Sequence, residues 1–400
     1  MKKLVSLLGA LLLVGLLGVV ALDLSGQLSV LDMADELGVS KALGLNAGLV
    51  STVVDDAEAL PVSTGFSYTL LSEQQQGVYA GLYRACEQRL QSFDCRIDDL
   101  DDIEPALVAL LEDHPEFFWL AGSCEYSRPV GSKRSHISLV FDVDPAQIDE
   151  RAALIEAACQ QFDAGLPEGA GPYDVLKAAY EYVIGTTDYG YQSVHNQNIQ
   201  SVFIDHQSVC AGYARALQYL LRRHGIESAF VRGSISAASE DHAWNLVWLD
   251  GVPTYVDATW GDPTYSGPRG EDVEGSFTYD YLCLTTDELV RDGHAATYAD
   301  ALPVCTSTDY DYYRLNGRYF DAYSFDEVNG LIAQAMAEGQ TSCAVKFGSD
   351  EAYAQAVADL EGHAFLRGAF QDLAVSRGET VSRHSYAVSD ALRIIRFFWD

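Results

Sequence analysis

An Asp-Gly dipeptide at positions 250–251 stands between two strand-like runs, residues 242–249 and 252–260. Asp-Gly in such a setting is a strong signal for a β-hairpin with a two-residue turn, which determines the pairing along both strands. Side chains alternate between the two faces of a strand, so His242 and Asp257 are expected on one face as diagonal neighbours. The sequence therefore predicts a histidine base beside a carboxylate.

A helix is predicted to begin just before Cys210. Apolar residues recur at helical spacing after this cysteine, and Gly225 stands where a C-terminal cap is expected. With Ser208 as the N-cap, Cys210 lies in the first turn, where unpaired backbone N–H groups carry partial positive charge. This environment favours the thiolate form of cysteine, and the same N–H groups can stabilise an oxyanion. Cys210 is therefore a candidate nucleophile.

Cys210, His242 and Asp257 form a candidate catalytic triad of nucleophile, base and orienting carboxylate. Taken singly, each has an ordinary structural explanation: a small buried thiol, a satisfied polar ring and a residue near a turn. Their joint occurrence in this order favours the catalytic interpretation. His206, four residues before Cys210, is a rival base, but no orienting acid is apparent for it.

The segments around these residues resemble known motifs. Residues 209–214 (Val-Cys-Ala-Gly-Tyr-Ala), 242–245 (His-Ala-Trp-Asn) and 255–260 (Tyr-Val-Asp-Ala-Thr-Trp) look like the three core motifs of bacterial transglutaminase-like proteins. Residues 113–119 and 279–283 resemble segments that flank this core in large multidomain, extracytoplasmic members. The resemblance implies an α+β, papain-like fold, in which a helix carrying the cysteine packs on an antiparallel sheet carrying the histidine and the aspartate. It also implies hydrolysis or acyl transfer at peptide or protein amides through a thioester.

Three further residues are candidates for contact with a substrate or an oxyanion. Gln197 is one of several amide side chains upstream of Cys210 that could donate to an oxyanion, although a role in loop structure is the plainer interpretation. Ala211 offers its backbone N–H at the start of the predicted helix. Trp244 lies beside His242 in the hairpin, where core packing is the common role of a tryptophan and a substrate wall is the alternative.

With 400 residues, the chain is long enough for several compact units. Composition and periodicity predict a signal peptide or N-terminal membrane anchor over residues 1–24, a linker over 25–63 and an N-terminal α/β domain over 64–165. The catalytic domain is expected over 170–300, and a small C-terminal α/β domain over 308–400.

The N-terminus has the pattern of an export signal. Lys2 and Lys3 precede an apolar, uncharged run over residues 4–22, which is about long enough to span a membrane as a helix. The length of the run favours an uncleaved anchor over a cleaved signal. The bulk of the chain is therefore expected outside the cytoplasmic membrane, either anchored or secreted.

Charge restricts the partners. The formal net charge is −33, from 58 acidic and 25 basic side chains, and such a surface repels phosphate backbones and anionic lipid. Nucleic acid is therefore excluded as a partner, and contact with the membrane is expected only through the N-terminal segment. The expected partner is a peptide or protein substrate, with a cell-wall-associated substrate as one option.

No cofactor and no metal are expected. The sequence has neither an H-E-x-x-H nor a C-x-x-C motif, and residues 309–311 lack the glycine and distal glutamate of a calcium loop. Two functions then remain open. One is an extracytoplasmic thiol enzyme, and the other is an inactive binding or scaffold module built on the same fold.

Overall fold

A computed structural model describes the greater part of the chain. The described residues are 64–132, 134–235, 240–262, 278–361, 368 and 384–399. The predicted signal or anchor over residues 1–24 and the predicted linker over 25–63 lie outside them. Two compact units divide the chain, Met1–Ile155 and Glu156–Asp400. Among the helices of the described residues, none combines the length and the apolar character needed to cross a membrane.

The first unit contains an antiparallel three-stranded sheet in the order β1-β3-β2. Its strands are β1 (Ser92–Arg96), β2 (Leu120–Ser127) and β3 (Arg134–Phe141). Its helices are α1 (Phe66–Thr69), α2 (Glu73–Glu87), α3 (Ile103–Asp113) and α4 (Ile148–Gly165), the last of which crosses the boundary between the units.

Asp113, in the first of the two flanking segments that carry the resemblance, has a structural role in this unit. Its carboxylate accepts hydrogen bonds from the backbone N–H groups of Ser67 and Tyr68 at 2.9 and 2.8 Å. Both donors lie in the first turn of α1, where N–H groups lack partners within a helix. Asp113 therefore joins the end of α3 to the start of α1.

The second unit contains the remaining elements. Its helices are α5 (Pro172–Thr186), α6 (Ile199–Phe203), α7 (Cys210–Arg223), α8 (Thr286–Arg291), α9 (Tyr312–Leu315), α10 (Phe325–Ala337) and α11 (Asp350–Glu361). Its strands are β4 (Asp188–Tyr189), β5 (Gln207–Ser208), β6 (Ser228–Ile235), β7 (Glu240–Leu249), β8 (Val252–Val256), β9 (Leu282–Leu284), β10 (His294–Ala296), β11 (Tyr319–Phe320), β12 (Ser342–Phe347), β13 (His384–Ser389) and β14 (Ile394–Trp399).

An antiparallel five-stranded sheet in the order β10-β6-β7-β8-β9 forms the centre of this unit. Helix α7 packs against β6 and β7 through small side chains: Ala211 and Ala214 of the helix meet Phe230 and Ala243 of the sheet, with Cys210 beside them. The amide of Asn245 on β7 donates to the Ala214 carbonyl of the helix at 2.9 Å. The predicted α+β fold, with its cysteine helix on an antiparallel sheet, is confirmed.

The hairpin predicted at positions 250–251 is confirmed with its register. Strands β7 and β8 pair from Leu249 opposite Val252 to Asn245 opposite Val256, as a two-residue turn requires. The turn residues have φ values of 51° and 82°, which an Asp-Gly pair adopts readily.

A second sheet follows in the order β11-β12-β14-β13. Helices α10 and α11 pack against its strand β12, and their apolar side chains share one core with β12 and β14. This region lies within the same compact unit as the five-stranded sheet. The predicted domain boundaries near residues 165, 300 and 308 stay predictions.

Candidate active site

Cys210 is the first residue of α7 and is partly exposed. The N-cap is Val209, whose extended backbone starts the helix without a side-chain cap, so the prediction of Ser208 as the N-cap was wrong. Ser208 belongs to β5, and its hydroxyl lies 2.6 Å from the Ser201 hydroxyl and donates to the Asn196 carbonyl at 3.1 Å. The serine therefore ties the preceding loop to the helix start.

Gly212 is needed for this close approach. A Cβ at Gly212 would lie 2.6 Å from the Ser201 hydroxyl and 2.9 Å from the Asn196 carbonyl oxygen. Gly212 and Tyr213 both donate their backbone N–H to the Val209 carbonyl. The N–H groups of Cys210 and Ala211 precede these first helical hydrogen bonds and lie at the positive end of the helix.

His242 lies between Cys210 and Asp257. Its Nε2 is 2.6 Å from Asp257 Oδ2, and the side chain of Cys210 lies near enough to the ring to contribute to raising the pKa of His242. A carboxylate accepts hydrogen bonds and cannot donate them, so Nε2 carries the proton of the first contact. Nδ1 is then the ring nitrogen left for the thiol. The structure brings together all three residues of the predicted triad.

Asp257 is fully buried and accepts four hydrogen bonds. Its Oδ1 accepts from the backbone N–H groups of Thr259 at 2.9 Å and Trp260 at 3.1 Å. Its Oδ2 accepts from Nε2 of His242 at 2.6 Å and from Nε2 of His294 at 3.0 Å. Four donors compensate for the desolvation of the carboxylate and hold its plane in one orientation.

The electrostatics favour a charged His242–Asp257 pair. Burial alone would lower the pKa of His242, but the charge and hydrogen bond of Asp257, together with the contact to Cys210, raise it to about 10. Burial would raise the pKa of Asp257, yet His242 and then His294 hold it well below the usual range of an aspartate. At neutral pH the ring is therefore protonated, and the carboxylate stays negative.

Sequence reasoning missed His294. It lies on β10, which pairs with β6 at the edge of the sheet away from β8, the strand that precedes Asp257. The turn at positions 250–251 relates His242 to Asp257, because the two residues lie at known distances along the chain from it. The sequence after residue 262 contains no comparable pattern that predicts which strand β10 will pair with. No signal in the sequence would have found this residue.

Two buried tryptophans enclose the histidines. Trp244 stacks on the His242 ring with centroids 5.8 Å apart and meets the His294 ring edge-on at 5.1 Å. Trp260 contacts the same two rings at 5.9 and 4.8 Å. Trp244 is 1% exposed, and within the described residues its indole N–H has no hydrogen-bond acceptor. Its packing is thus clear, and its predicted contact with a substrate stays a prediction.

The remaining sequence candidates occupy different places. Ala211 is buried at the start of α7, next to Cys210. Gln197 is exposed, and its backbone carbonyl accepts a hydrogen bond from Arg215, so its predicted oxyanion role stays a prediction. His206, the rival base, is exposed, and its backbone carbonyl accepts from the Asp188 N–H where β4 meets β5.

His242, Asp257 and His294 form a cluster of possible metal ligands, whose ligand atoms all lie within 4.8 Å of one another. A tetrahedral zinc ion with bonds of about 2.0 Å keeps its ligand atoms about 3.3 Å apart. The two separations to Asp257 Oδ2, 2.6 and 3.0 Å, are shorter and match hydrogen bonds. The cluster is therefore arranged as a hydrogen-bonded network, and the expected absence of a metal stays a prediction.

Fold and site define a domain in which a thiol at the start of a helix lies near an imidazole on a strand and a carboxylate directly after the next strand. Residues 160–260 match the family model of the transglutaminase-like superfamily. The chain thus contains a transglutaminase-like domain that holds Cys210, His242 and Asp257. No curated protein matches the chain.

Solved structures with similarity to the chain share little sequence with it. A TGase structure is 14% identical over 46% of this chain and 53% of its own length, with a TM-score of 0.26. The periplasmic domain of TgpA from Pseudomonas aeruginosa, bound to ethylmercury, is 20% identical over 33% of this chain and 58% of its own, with a TM-score of 0.22. Menin, in a structure that reveals its binding site for the MLL protein, is 16% identical over 67% and 53%, with a TM-score of 0.25. The chain thus spans little more than half the length of these structures.

Proposed function

We propose that this protein is a thiol enzyme that acts on peptide or protein amides through a thioester intermediate. The observation that carries the proposal is the position of the His242 ring, which is hydrogen-bonded to Asp257 at 2.6 Å and interacts with the side chain of Cys210. A nucleophile, a base and an orienting carboxylate in that arrangement are the parts that acyl transfer requires.

The first half-reaction uses the proton held by His242. The Cys210 sulfur, having passed its proton to the ring, attacks the carbonyl carbon of the amide and forms a tetrahedral oxyanion. His242 then gives its proton to the leaving nitrogen, the C–N bond breaks, and the thioester and a free amine or ammonia result. Asp257 holds the ring in the tautomer and orientation that both transfers need.

The second half-reaction reverses the proton movements. Water or an amine attacks the thioester carbon, His242 takes the proton from this nucleophile, and the thiolate of Cys210 leaves. Water makes the enzyme a peptidase or deamidase, and an amine makes it an acyltransferase. The N–H groups of Cys210 and Ala211 at the start of α7 are the proposed donors to both oxyanions, with Gln197 and Trp244 as further candidates.

We also propose that the protein acts outside the cytoplasmic membrane, anchored by the apolar run over residues 4–22 or secreted after its removal. The support is the charge and composition of the N-terminus. Protease added to cells without their wall should digest the folded part of the chain if this is right. Survival of the chain in these wall-free cells, with digestion after lysis, would contradict the proposal.

The test of the proposed function uses the pattern of cysteines. All eight lie in the described part of the chain, none forms a disulfide there, and the two that are partly exposed are Cys210 and Cys124. Burial raises the pKa of the Cys124 thiol, so this residue is a matched control. Iodoacetamide at neutral pH should label Cys210 at least tenfold faster than Cys124.

Turnover is then measured with a peptide library, with and without an added amine. Cys210→Ala should lower the rate on the order of 10⁴- to 10⁶-fold, whereas Cys124→Ala should leave it unchanged. Products that contain the added amine would show acyl transfer, and products without it hydrolysis. If Cys210 labels no faster than Cys124 and no peptide is turned over, the inactive binding or scaffold module replaces the enzyme.

A further inference from the structure

We propose that His294 is a positioning residue of this site, which donates its Nε2–H to Asp257 Oδ2 and thereby holds the carboxylate that orients His242. The inference rests on the proposed function and adds a fourth residue to it.

The contact itself is the first observation. His294 Nε2 lies 3.0 Å from Asp257 Oδ2, the same oxygen that accepts from His242, and both side chains are fully buried. An ionised carboxylate only accepts, so the proton of this contact belongs to His294 Nε2. The other ring nitrogen lies 3.8 Å from Asp292 Oδ2, beyond hydrogen-bond distance. The donor that faces Asp257 is therefore Nε2.

The sheet is built so that the two histidines can meet. Gly233 of β6 pairs with His242 on one side and with Ala296 of β10 on the other. A Cβ at Gly233 would lie 2.6 Å from the Trp244 ring, so a larger residue there would displace the wall that both imidazoles pack against. The His242 and His294 rings lie with their centroids 5.5 Å apart.

The physical consequence concerns the plane of the carboxylate. Two backbone N–H groups hold Oδ1, and two imidazoles hold Oδ2. Without His294, Oδ2 keeps one donor, and the buried charge loses part of its compensation. The carboxylate can then rotate toward other donors, and His242 loses its alignment with Cys210. A misplacement of about 1 Å at a reacting group lowers rates by about 10²-fold.

Two amide variants form a matched test. His294→Gln places its amide nitrogen near the position of Nε2, whereas the shorter His294→Asn places it near Nδ1, out of reach of Asp257. We expect His294→Asn to lower kcat by about 10²-fold with KM changed less than about twofold, because His294 does not touch the substrate. His294→Gln should recover at least about tenfold of that loss. Thermal melting of both variants controls for folding.

A double-mutant cycle separates positioning from structure. In the Asp257→Asn background, His294→Asn should lower kcat less than about threefold further, since the residue acts through the carboxylate. Equal kcat in His294→Gln and His294→Asn would overturn the inference. So would a double variant whose loss of kcat is the product of the losses in the Asp257→Asn and His294→Asn single variants. If His294→Asn does not fold, His294→Leu replaces it in the comparison with His294→Gln and in the double-mutant cycle, and the same outcomes apply.

The labelling of Cys210 by iodoacetamide provides a readout without substrate. Its rate should be slower in His294→Asn than in His294→Gln by about tenfold. A wild-type protein that labels rapidly at Cys210, with equal rates in both variants, would retain the proposed function and reject the role of His294. A wild-type protein with neither labelling nor turnover would reject both.

Discussion

Two buried charge clusters in the second unit have opposite composition. At the site, the Asp257 carboxylate lies between two imidazoles, and at the junction with the C-terminal sheet the Lys346 ammonium lies between two carboxylates. Lys346 Nζ is 2.6 Å from Glu288 on α8 and 2.7 Å from Asp311, and all three side chains are at most 3% exposed. The lysine thus connects β12 to the segment that leads toward β10.

The two clusters differ in which member titrates. Burial would lower the pKa of Lys346, but Asp311 and Glu288 hold it well above its usual range, and Lys346 in turn keeps the pKa of Glu288 below its usual range. Lys346 and Glu288 are therefore both charged across the whole physiological range. The site cluster instead contains the imidazoles of His242 and His294, and the Cys210 thiol lies next to His242. We therefore expect the junction cluster to contribute stability and the site cluster to take part in the proposed proton transfer.

The largest effect is expected from breaking the site cluster at its reactive end. Cys210→Ala and His242→Ala should each lower turnover on the order of 10⁵-fold, and the double variant should be barely worse than either, because the residues act as a unit. Peptide turnover measures this, and thermal melting is the control. Losses that multiply in the double variant would show that the two residues act independently.

Breaking the junction cluster should instead cost stability. Lys346→Met leaves two buried carboxylates without a cation and should lower the free energy of unfolding by about 3–5 kcal/mol in chemical denaturation. The folded variant should keep its kcat. Replacing the two acids as well, with Glu288→Gln and Asp311→Asn, should recover most of the loss. A Lys346→Met variant with native stability would show that the cluster does not stabilise the fold.

The pH dependence of stability should separate the clusters further. The pKa of His242 is raised to about 10 in the folded state from about 6.5, so its contribution is complete below about pH 6.5 and is lost as pH rises toward 10. The pKa of Asp257 is lowered, so its contribution is complete above about pH 4 and is lost below that.

The matching measurement compares wild type with His242→Gln by denaturation across pH. The stability difference between them should shrink as pH rises from about 7 to about 10. Wild type compared with Lys346→Met should show no such decline over this range. An unchanged difference for His242→Gln would mean that the ring does not carry its proton at neutral pH.

The smallest effect is expected at the hairpin turn. Gly251 has φ 82°, so Gly251→Ala should lower the free energy of unfolding by about 1–2 kcal/mol, whereas Gly251→Asn should cost less because asparagine tolerates this conformation. Activity should persist in both variants, because the hydrogen bonds between β7 and β8 and the four donors to Asp257 also hold the register of the hairpin. Loss of turnover in folded Gly251→Ala would show that the site depends on the turn alone.

Local chemistry explains what could be predicted. An Asp-Gly turn and the alternation of side chains along a strand relate residues that are close in sequence, so His242 and Asp257 followed without further knowledge. Periodicity likewise indicated a helix behind Cys210. The N-cap of this helix was predicted wrongly because nothing in the sequence prevents Ser208 from capping it. In the fold, the Ser208 hydroxyl instead makes hydrogen bonds with the Ser201 hydroxyl and the Asn196 carbonyl.

The sequence by itself therefore predicted Cys210, His242 and Asp257 as one group of residues, together with the α+β class of the domain that carries them. Tertiary structure alone decided that His294 shares Asp257, that Gly212 must lack a side chain and that Lys346 is buried between two acids. These contacts join strands, loops and helices that are distant along the chain. Their geometry depends on which sheet edges and helix ends pack together, and no short-range pattern of residues encodes that choice.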